Sequence, residues 1–468
     1  MMQLEYQPEI MKQAGQLVLD AVIEHLAKLP DAPRSNLDRA ETVARELKEA
    51  PPEDGSDFEP LLRFLMDRVI PVSINTPHPS YMAYIPGGGL YASALADFIA
   101  SATNRYAGVW FAAPALSRLE ANVLDWFARW MDYPPTARGI LTSGGSLANF
   151  SAIVAARKHY LGDDLCRGTV YMSNQTHHSV MKAAMLAGIP EKQIHVLDVD
   201  EQFKAIPERF KQAIESDRRR GLKPFLLVGN AGTTNTGAID PLDALADLAQ
   251  KHDLWFHVDG AYGGFFRLTD EGKQKLHGIE RSDSVVLDPH KGLFVPYGTG
   301  SLVVKDGERL RKAHMLEAEY LQDHSVPEGE VNPADYSPEL SRFNRGLRVW
   351  LPLKLYGVST FRKALQEKLD LAKVLYQKFL EEPNFEVLNQ PELTVTAFRY
   401  RPPRGDINEF NRRLLKAIND SKKLFLSSTM LKGQFVIRTC ILSFRTHRPE
   451  IEAAFDVIRY YAHKLAKQ

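Results

Sequence analysis

Cysteine is almost missing from the 468-residue chain, which has two, Cys166 and Cys440. Neither lies in a cluster with metal-ligand spacing, so a cysteine-built metal site is excluded. Two cysteines in so long a chain fit a reducing compartment, and the cytoplasm is the expected location. Net charge is also missing: 58 Lys and Arg balance 58 Asp and Glu. No net field draws the chain to nucleic acid or to an anionic membrane, and neither is expected as a partner. No apolar run approaches the length of a membrane span. The N-terminus lacks the basic stretch and apolar run of a secretory signal. The Gly-Lys-Ser/Thr ending of a P-loop and the GxGxxG dinucleotide fingerprint are both absent.

What is present is ordinary in bulk. Apolar residues make up 44% and charged residues 25%, as in soluble globular proteins. The length suits a large domain with one or two smaller ones. Residues 1–77 read as a helical segment, with amphipathic stretches from Gly15 to Leu29 and from Phe58 to Ile70. Such separated helices cannot form a core alone, so they are expected to pack on another subunit or on the main domain. Residues 78–355 alternate helical segments with short apolar runs. These runs are Gly139 to Thr142, Thr169 to Met172, Ile194 to Leu197, Pro224 to Gly229, Leu254 to Val258, Ser284 to Leu287 and Gly300 to Val304. The pattern predicts buried strands of a mostly parallel sheet, an α/β domain. Ligands then bind at the carboxyl ends of the strands. Helical pattern continues from Leu347 through Leu380, with breaks expected near Pro352 and Gly357. Residues 356–468 read as a small C-terminal α/β domain.

The chemistry-bearing residues follow the apolar runs. SVVLDPHKG carries Lys291 directly after a strand. Alone it would be an ordinary surface charge. Held among apolar elements it is expected to have a lowered pKa and to act as a nucleophile toward an aldehyde. WFHVDGAYGG places Asp259 at a strand end, with glycines clearing space beside it. A carboxylate there can keep a pyridine nitrogen protonated, and small Ala261 lets a ring lie flat. In LTSGGSLAN, Gly144, Gly145 and Ser146 offer N–H groups and a hydroxyl at a helix start, a natural phosphate site. In NQTHHS, His177 and His178 are adjacent. Successive residues rarely meet at one ion, and no acid or cysteine cluster accompanies them, so no metal is expected. One imidazole stacked on an aromatic cofactor explains the pair better. GNAGTTNTGAID is suited to further ring contacts. A lysine, a carboxylate and a phosphate turn together call for pyridoxal phosphate.

TSGGSLAN, NQTHHSV, AGTTNTGAID, HVDGAYGG and LDPHKG, in this order, resemble the group II pyridoxal-phosphate-dependent amino-acid decarboxylases. HPSYMAYIP, APALSRLEANVLDW and RGLRVWLPLKLYG extend the resemblance over nearly the whole chain. The resemblance implies a fold-type I enzyme, an obligate homodimer with active sites at the subunit interface. It implies Lys291 as the Schiff-base lysine, Asp259 as the pyridinium partner, His177 as the imidazole over the ring and Ala261 as the residue beneath it. It implies Gly145 and Ser146 as phosphate binders, Thr234 as a cofactor contact and His290 as a histidine near the phosphate. Asp288 stands where aromatic-type relatives often have Asn, and an acid there is less welcoming to a dianion.

Two further expectations come from the same resemblance. Tyr336, in HSVPEGEVNPADYSPELSR, matches a mobile-loop tyrosine that returns a proton after CO2 leaves, which favours simple decarboxylation. Tyr84, Ile85, Pro86, Trp110 and Phe111, with Tyr81, match the region shaping the substrate side-chain pocket. Their character leans toward an aromatic L-amino acid, although Gly87, Gly88 and Gly89 depart from the aromatic-type pattern. The alternatives are an acidic amino-acid decarboxylase, an aldehyde synthase, an aminotransferase or carbon–carbon lyase, or a non-catalytic cofactor-binding protein. For an aminotransferase, Arg438 is the candidate carboxylate-binding residue.

Overall fold

The computed structural model describes residues 4–315 and 326–468. Seven strands form one sheet: β1 (Arg138–Thr142), β2 (Gly168–Ser173), β3 (Ile194–Leu197), β4 (Lys223–Asn230), β5 (Trp255–Asp259), β6 (Ser284–Leu287) and β7 (Gly300–Val304). Their order is β1-β7-β6-β5-β4-β2-β3. Strands β2 to β6 pair in parallel, and β7 runs antiparallel to both β1 and β6. The chain therefore has a mostly parallel α/β sheet of the fold-type I kind.

Both faces of this sheet are covered, which is why its strands read as unbroken apolar runs. Successive residues alternate between two cores, as the pleat requires. Leu227, Phe256, Val258 and Val285 face one core. Leu226, Val228, Trp255 and Val286 face the other. The helix Gly145–Leu161 closes over the second face by burying Ala148, Ala152, Ala155 and Ala156. Small side chains bring its backbone close to the sheet, so polar side chains on this helix can reach residues on β5.

A second sheet holds β8 (Phe385–Val387), β9 (Val395–Tyr400), β10 (Ser427–Leu431) and β11 (Gln434–Cys440) in antiparallel order β10-β11-β9-β8. The helix Val358–Glu381 joins the two units. Its Phe361, Leu365 and Leu369 enter the first core, while Leu371, Leu375 and Phe379 enter that of the small sheet. Pro352, expected to break a helix, sits buried inside the helix Gly346–Tyr356. Packing there outweighs one lost backbone bond. The break comes instead at Gly357, with φ of 75°. At the N-terminus the helix Pro8–Ala27 buries none of its residues. Among the described residues, no helix is long and apolar enough to cross a membrane.

Candidate active site

The carboxyl ends of β1, β2, β4, β5 and β6 open onto one cavity. Gly145, Ser146, His177, Thr234, Asp259, Ala261, Asp288, His290 and Lys291 all line it. Parallel strands deliver their following loops to one edge, so residues far apart in sequence meet there.

Lys291 lies in a single helical turn, Pro289–Gly292, after β6. Its Nζ is 2.9 Å from Asp288 Oδ2. Burial pulls the ammonium down, but the Asp288 carboxylate beside it, helped by Asp259, outweighs this and leaves it above its ordinary value. The lowered pKa expected from sequence is thus corrected: the lysine is half-buried, but beside an acid. The Asp288 carboxylate is itself buried, and its Oδ1 accepts no hydrogen bond. His290 Nδ1 donates to the Thr299 carbonyl at 2.6 Å, which holds the histidine at the cavity wall.

Asp259 ends β5 with both oxygens engaged. Oδ1 accepts from the Ala261 N–H at 3.1 Å, and Oδ2 accepts from Asn149 Nδ2 at 3.3 Å. His177 Nδ1 meets the Ser179 hydroxyl at 2.7 Å. Burial holds the His177 imidazole below its ordinary pKa, against an opposing pull from Asp259. Asn149, Ser179, Asn230, Gly232, Thr233 and Tyr262 also line the cavity and were not singled out from sequence. A signal was there: Asn149 is one helical turn beyond Gly145, and Ser179 is two residues beyond His177.

Three sets of residues expected at the site lie elsewhere in this chain. Tyr336 is not among the residues lining the cavity of this chain. It ends the 3-10 turn Pro333–Tyr336, and its ring packs in the core with Ile140 and Leu310. Only 8% of it is exposed, and its charged surroundings are Glu308, Arg138 and Arg311. Arg138 starts β1, whereas the cavity lies beyond that strand's other end. His324 and Ser325, at the start of the same sequence segment, lie outside the described residues. Second, Tyr84, Ile85, Pro86, Trp110 and Phe111 are not among the residues lining the cavity of this chain. Tyr84 and Phe111 are 59% and 61% exposed. Tyr81 is buried and stacks on Phe425. Third, Arg438 does not face a substrate. Its guanidinium donates to the carbonyls of Thr234 and Asn235 and to the Ser427 hydroxyl. It therefore clamps the loop after β4 to the small sheet.

The residues present fit pyridoxal phosphate. The helix Gly145–Leu161 starts at Gly144 with no side-chain cap, so its leading N–H groups stand ready for phosphate oxygens. Space is tight there: a Cβ on Gly145 would lie 3.0 Å from Asp288 Oδ2. Asp259 is fixed for a ring N–H, and Lys291 is the amine for an aldehyde.

The Pyridoxal-dependent decarboxylase conserved domain matches residues 41–401. The aromatic-L-amino-acid decarboxylase of Bacillus atrophaeus is 37% identical over 453 residues, 96% of this chain and 94% of that one. The phenylacetaldehyde synthase of Arabidopsis thaliana is 30% identical over 97% of each chain. The crystal structure of Oryza sativa TDC with PLP and tryptamine superposes with a TM-score of 0.93 at 28% identity, covering 98% of this chain and 99% of that one. Sequence, fold and cavity agree: the chain belongs to the group II pyridoxal-dependent decarboxylases, enzymes whose cofactor is pyridoxal phosphate.

Proposed function

We propose that the enzyme decarboxylates an aromatic L-amino acid to its amine and CO2, as a homodimer with active sites at the subunit interface. The observation that carries the reading is the convergence of Lys291, Asp259, His177 and the Gly144–Ser146 turn on one cavity. When bound, pyridoxal phosphate supplies an electron sink for the bond to the leaving carboxylate. The chain supplies the rest. Asp259, fixed by Asn149 and the Ala261 N–H, holds a proton on the ring nitrogen. The glycine turn and Ser146 hold the phosphate. Lys291 Nζ is the amine that retains the cofactor. His177, held through Nδ1 by Ser179, has Nε2 left to give or take a proton.

The aromatic substrate is supported by the aromatic-L-amino-acid decarboxylase and by the tryptamine-bound rice structure. An aldehyde synthase activity is the second reading, favoured by the Arabidopsis phenylacetaldehyde synthase. Tyr336, buried away from the cavity, gives no argument between them. The homodimer is supported by exposed apolar surface: the helix Pro8–Ala27 with nothing buried, and Tyr84, Phe98 and Phe111 each more than half exposed. So large an exposed apolar area is unusual for a monomer. A partner across it would also bring the exposed aromatics toward a cavity.

The test is a panel of phenylalanine, tyrosine, tryptophan, histidine and glutamate, following CO2, amine, aldehyde and keto acid. Amine and CO2 from an aromatic member, lost in Lys291→Ala, are expected. Aldehyde with CO2 selects the second reading. Keto acid without CO2, or turnover of glutamate alone, refutes the proposal. Light scattering at twice the chain mass of 52.7 kDa checks the dimer.

A further inference from the structure

Behind the cavity a line of polar side chains runs through the core between β5, β6 and the helix Gly145–Leu161. Each bond in it has a forced direction. Trp255 Nε1 can only donate, and it donates to Ser284 Oγ at 2.8 Å. Ser284 Oγ can accept a second bond, so the direction at His257 is set from the other end. The Asp259 carboxylate can only accept, so it takes Asn149 Nδ2 and turns Asn149 Oδ1 toward His257 Nε2. This leaves His257 Nδ1 to accept from the Ser284 hydroxyl at 2.7 Å. His257 therefore carries its proton on Nε2, which donates to Asn149 Oδ1 at 2.9 Å. The Asp259 carboxylate thus sets the Asn149 amide. Its Nδ2 directs its two hydrogens to Asp259 Oδ2 at 3.3 Å and to Ser179 Oγ at 3.2 Å. Ser179 Oγ, already an acceptor, donates to His177 Nδ1 at 2.7 Å. The Ser179 N–H points at the same nitrogen, at 3.3 Å. His177 Nδ1 is thus an acceptor twice over, and its proton sits on Nε2.

We propose that His257 is a positioning residue of this active site: through Asn149 and Ser179 it holds the His177 proton on Nε2 and the Asp259 carboxylate in one orientation. The inference deepens the proposed function and rests on its assignment of Asp259 and His177. Three observations carry it. First, His257 and Asp259 are two residues apart on β5 and so share a face of the sheet. Second, the line is dry. Trp255, His257 and Ser284 have no exposed surface, Asn149 has 1% and Ser179 has 5%. Trp255, His257 and Ser284 lie behind the cavity wall that Asn149 and Ser179 form, so a deletion at His257 leaves a buried donor or acceptor unpaired and is felt at the far end. Third, the direction is consistent from Trp255 to His177, with no hydrogen asked to serve two bonds. Burial keeps His257 uncharged at neutral pH. A neutral imidazole takes a hydrogen at one nitrogen and passes one on at the other, which is the property the line requires.

The experiment uses the cofactor-loaded enzyme carrying 15N-labelled histidine, with the His177 signal identified by its loss in His177→Gln. The variants are Ser179→Ala, His257→Leu, His257→Gln and the double variant His257→Leu with Ser179→Ala. Ring-nitrogen shifts read the tautomer without substrate, so this outcome is independent of which amino acid turns over. Wild type and His257→Gln, whose amide can still donate to Asn149, are expected to show His177 protonated on Nε2 alone. His257→Leu and Ser179→Ala are expected to show a share of the Nδ1–H tautomer, limited by the residue-179 N–H that still points at Nδ1 at 3.3 Å. In turnover, His257→Leu is expected to lose roughly 10–100-fold in kcat with KM little changed, the usual cost of losing a residue that orients a ligating or catalytic group. His257→Gln recovers most of this. The double variant is expected to be no worse than His257→Leu, because both ends of one line are non-additive. Multiplicative losses, or a single Nε2–H tautomer surviving in both single deletions, overturn the proposal. Ser179→Ala removes one hydroxyl only, so the tautomer reading stands even if His257→Leu does not fold.

Discussion

Gly87→Ala is the sharpest test of how the lysine turn is held. A Cβ at Gly87 would lie 2.1 Å from the carbonyl oxygen of His290 and 3.2 Å from that of Lys291. Ordinary contact needs about 3.4 Å, so one of the two backbones must move by roughly 1.3 Å. The His290 side has little freedom to move. Its N–H donates to Thr299 O at 3.2 Å, and the Lys291 N–H donates to Asp288 O at 2.9 Å. Overpacking of this kind costs about 1–3 kcal/mol. For a chain of 468 residues the unfolding entropy is about 1 kcal/mol/K, so Tm should fall by only about 1–3 °C. The displacement matters more than the stability. A shift of about 1 Å at a reacting group costs on the order of 100-fold in rate. The assays are kcat and cofactor affinity, followed by absorbance titration with pyridoxal phosphate. Gly89→Ala is the contrast, because no atom lies within 4 Å of its Cβ. Its φ of 74° still costs about 1 kcal/mol, with no push on Lys291. Wild-type kcat and affinity in Gly87→Ala would refute the claim that this segment backs the lysine turn.

Three further outcomes follow from the site. Asp288→Asn removes a negative charge beside the glycine turn, and pyridoxine 5′-phosphate, which has no aldehyde, should bind about tenfold more tightly, ~1.4 kcal/mol; weaker binding would show that Asp288 helps to hold the phosphate. The same variant removes the main opposition to the effect of burial on Lys291 and leaves only the weaker pull of Asp259 and Cys440, so the lysine pKa should fall, read as a lower pH onset of Schiff-base absorbance. Tyr336→Phe separates two placements: kcat within about threefold of wild type fits a phenol that stays packed in its own chain, and a loss near 100-fold with aldehyde formed shows that it reaches a site in the dimer. Stability should fall on acidification through the ordinary histidine range. Burial lowers His177 and His290 and takes His257 to about 4. The folded state then binds fewer protons than the unfolded state below pH 6.5, so stability is lost as pH falls from about 6.5 toward 4. Tm measured at pH 7.5, 6 and 5 should decrease in that order, and a flat profile would refute the neutral assignment.

Much of the site was legible because it is local. Lys291, Asp259, His177 and the Gly144–Ser146 turn each follow a short apolar run, and strand ends of a parallel sheet meet at one edge. Six of the seven runs were legible because strands covered on both faces are apolar throughout, and the edge strand β3, though partly exposed, keeps three apolar residues of four. The edge strands β8 and β10 were not, being short and half exposed along their length. Tyr336 misled because Pro, Gly and charge in its segment resemble loop composition. The ring is buried by packing against Ile140 and Leu310, which sequence proximity does not announce.

The order of residues along the chain determined which chemical groups stand at each strand end: an amine, a carboxylate, an imidazole and a phosphate turn. Tertiary structure decided their states. Lys291 is held above its ordinary pKa because Asp288 folds back to within 2.9 Å. His177 carries its proton on Nε2 because Asn149, 28 residues upstream, brings a line of bonds from β5 and β6 to Ser179. Protonation and orientation depend on neighbours supplied by other elements and on the dryness around them, and only the packed chain provides both.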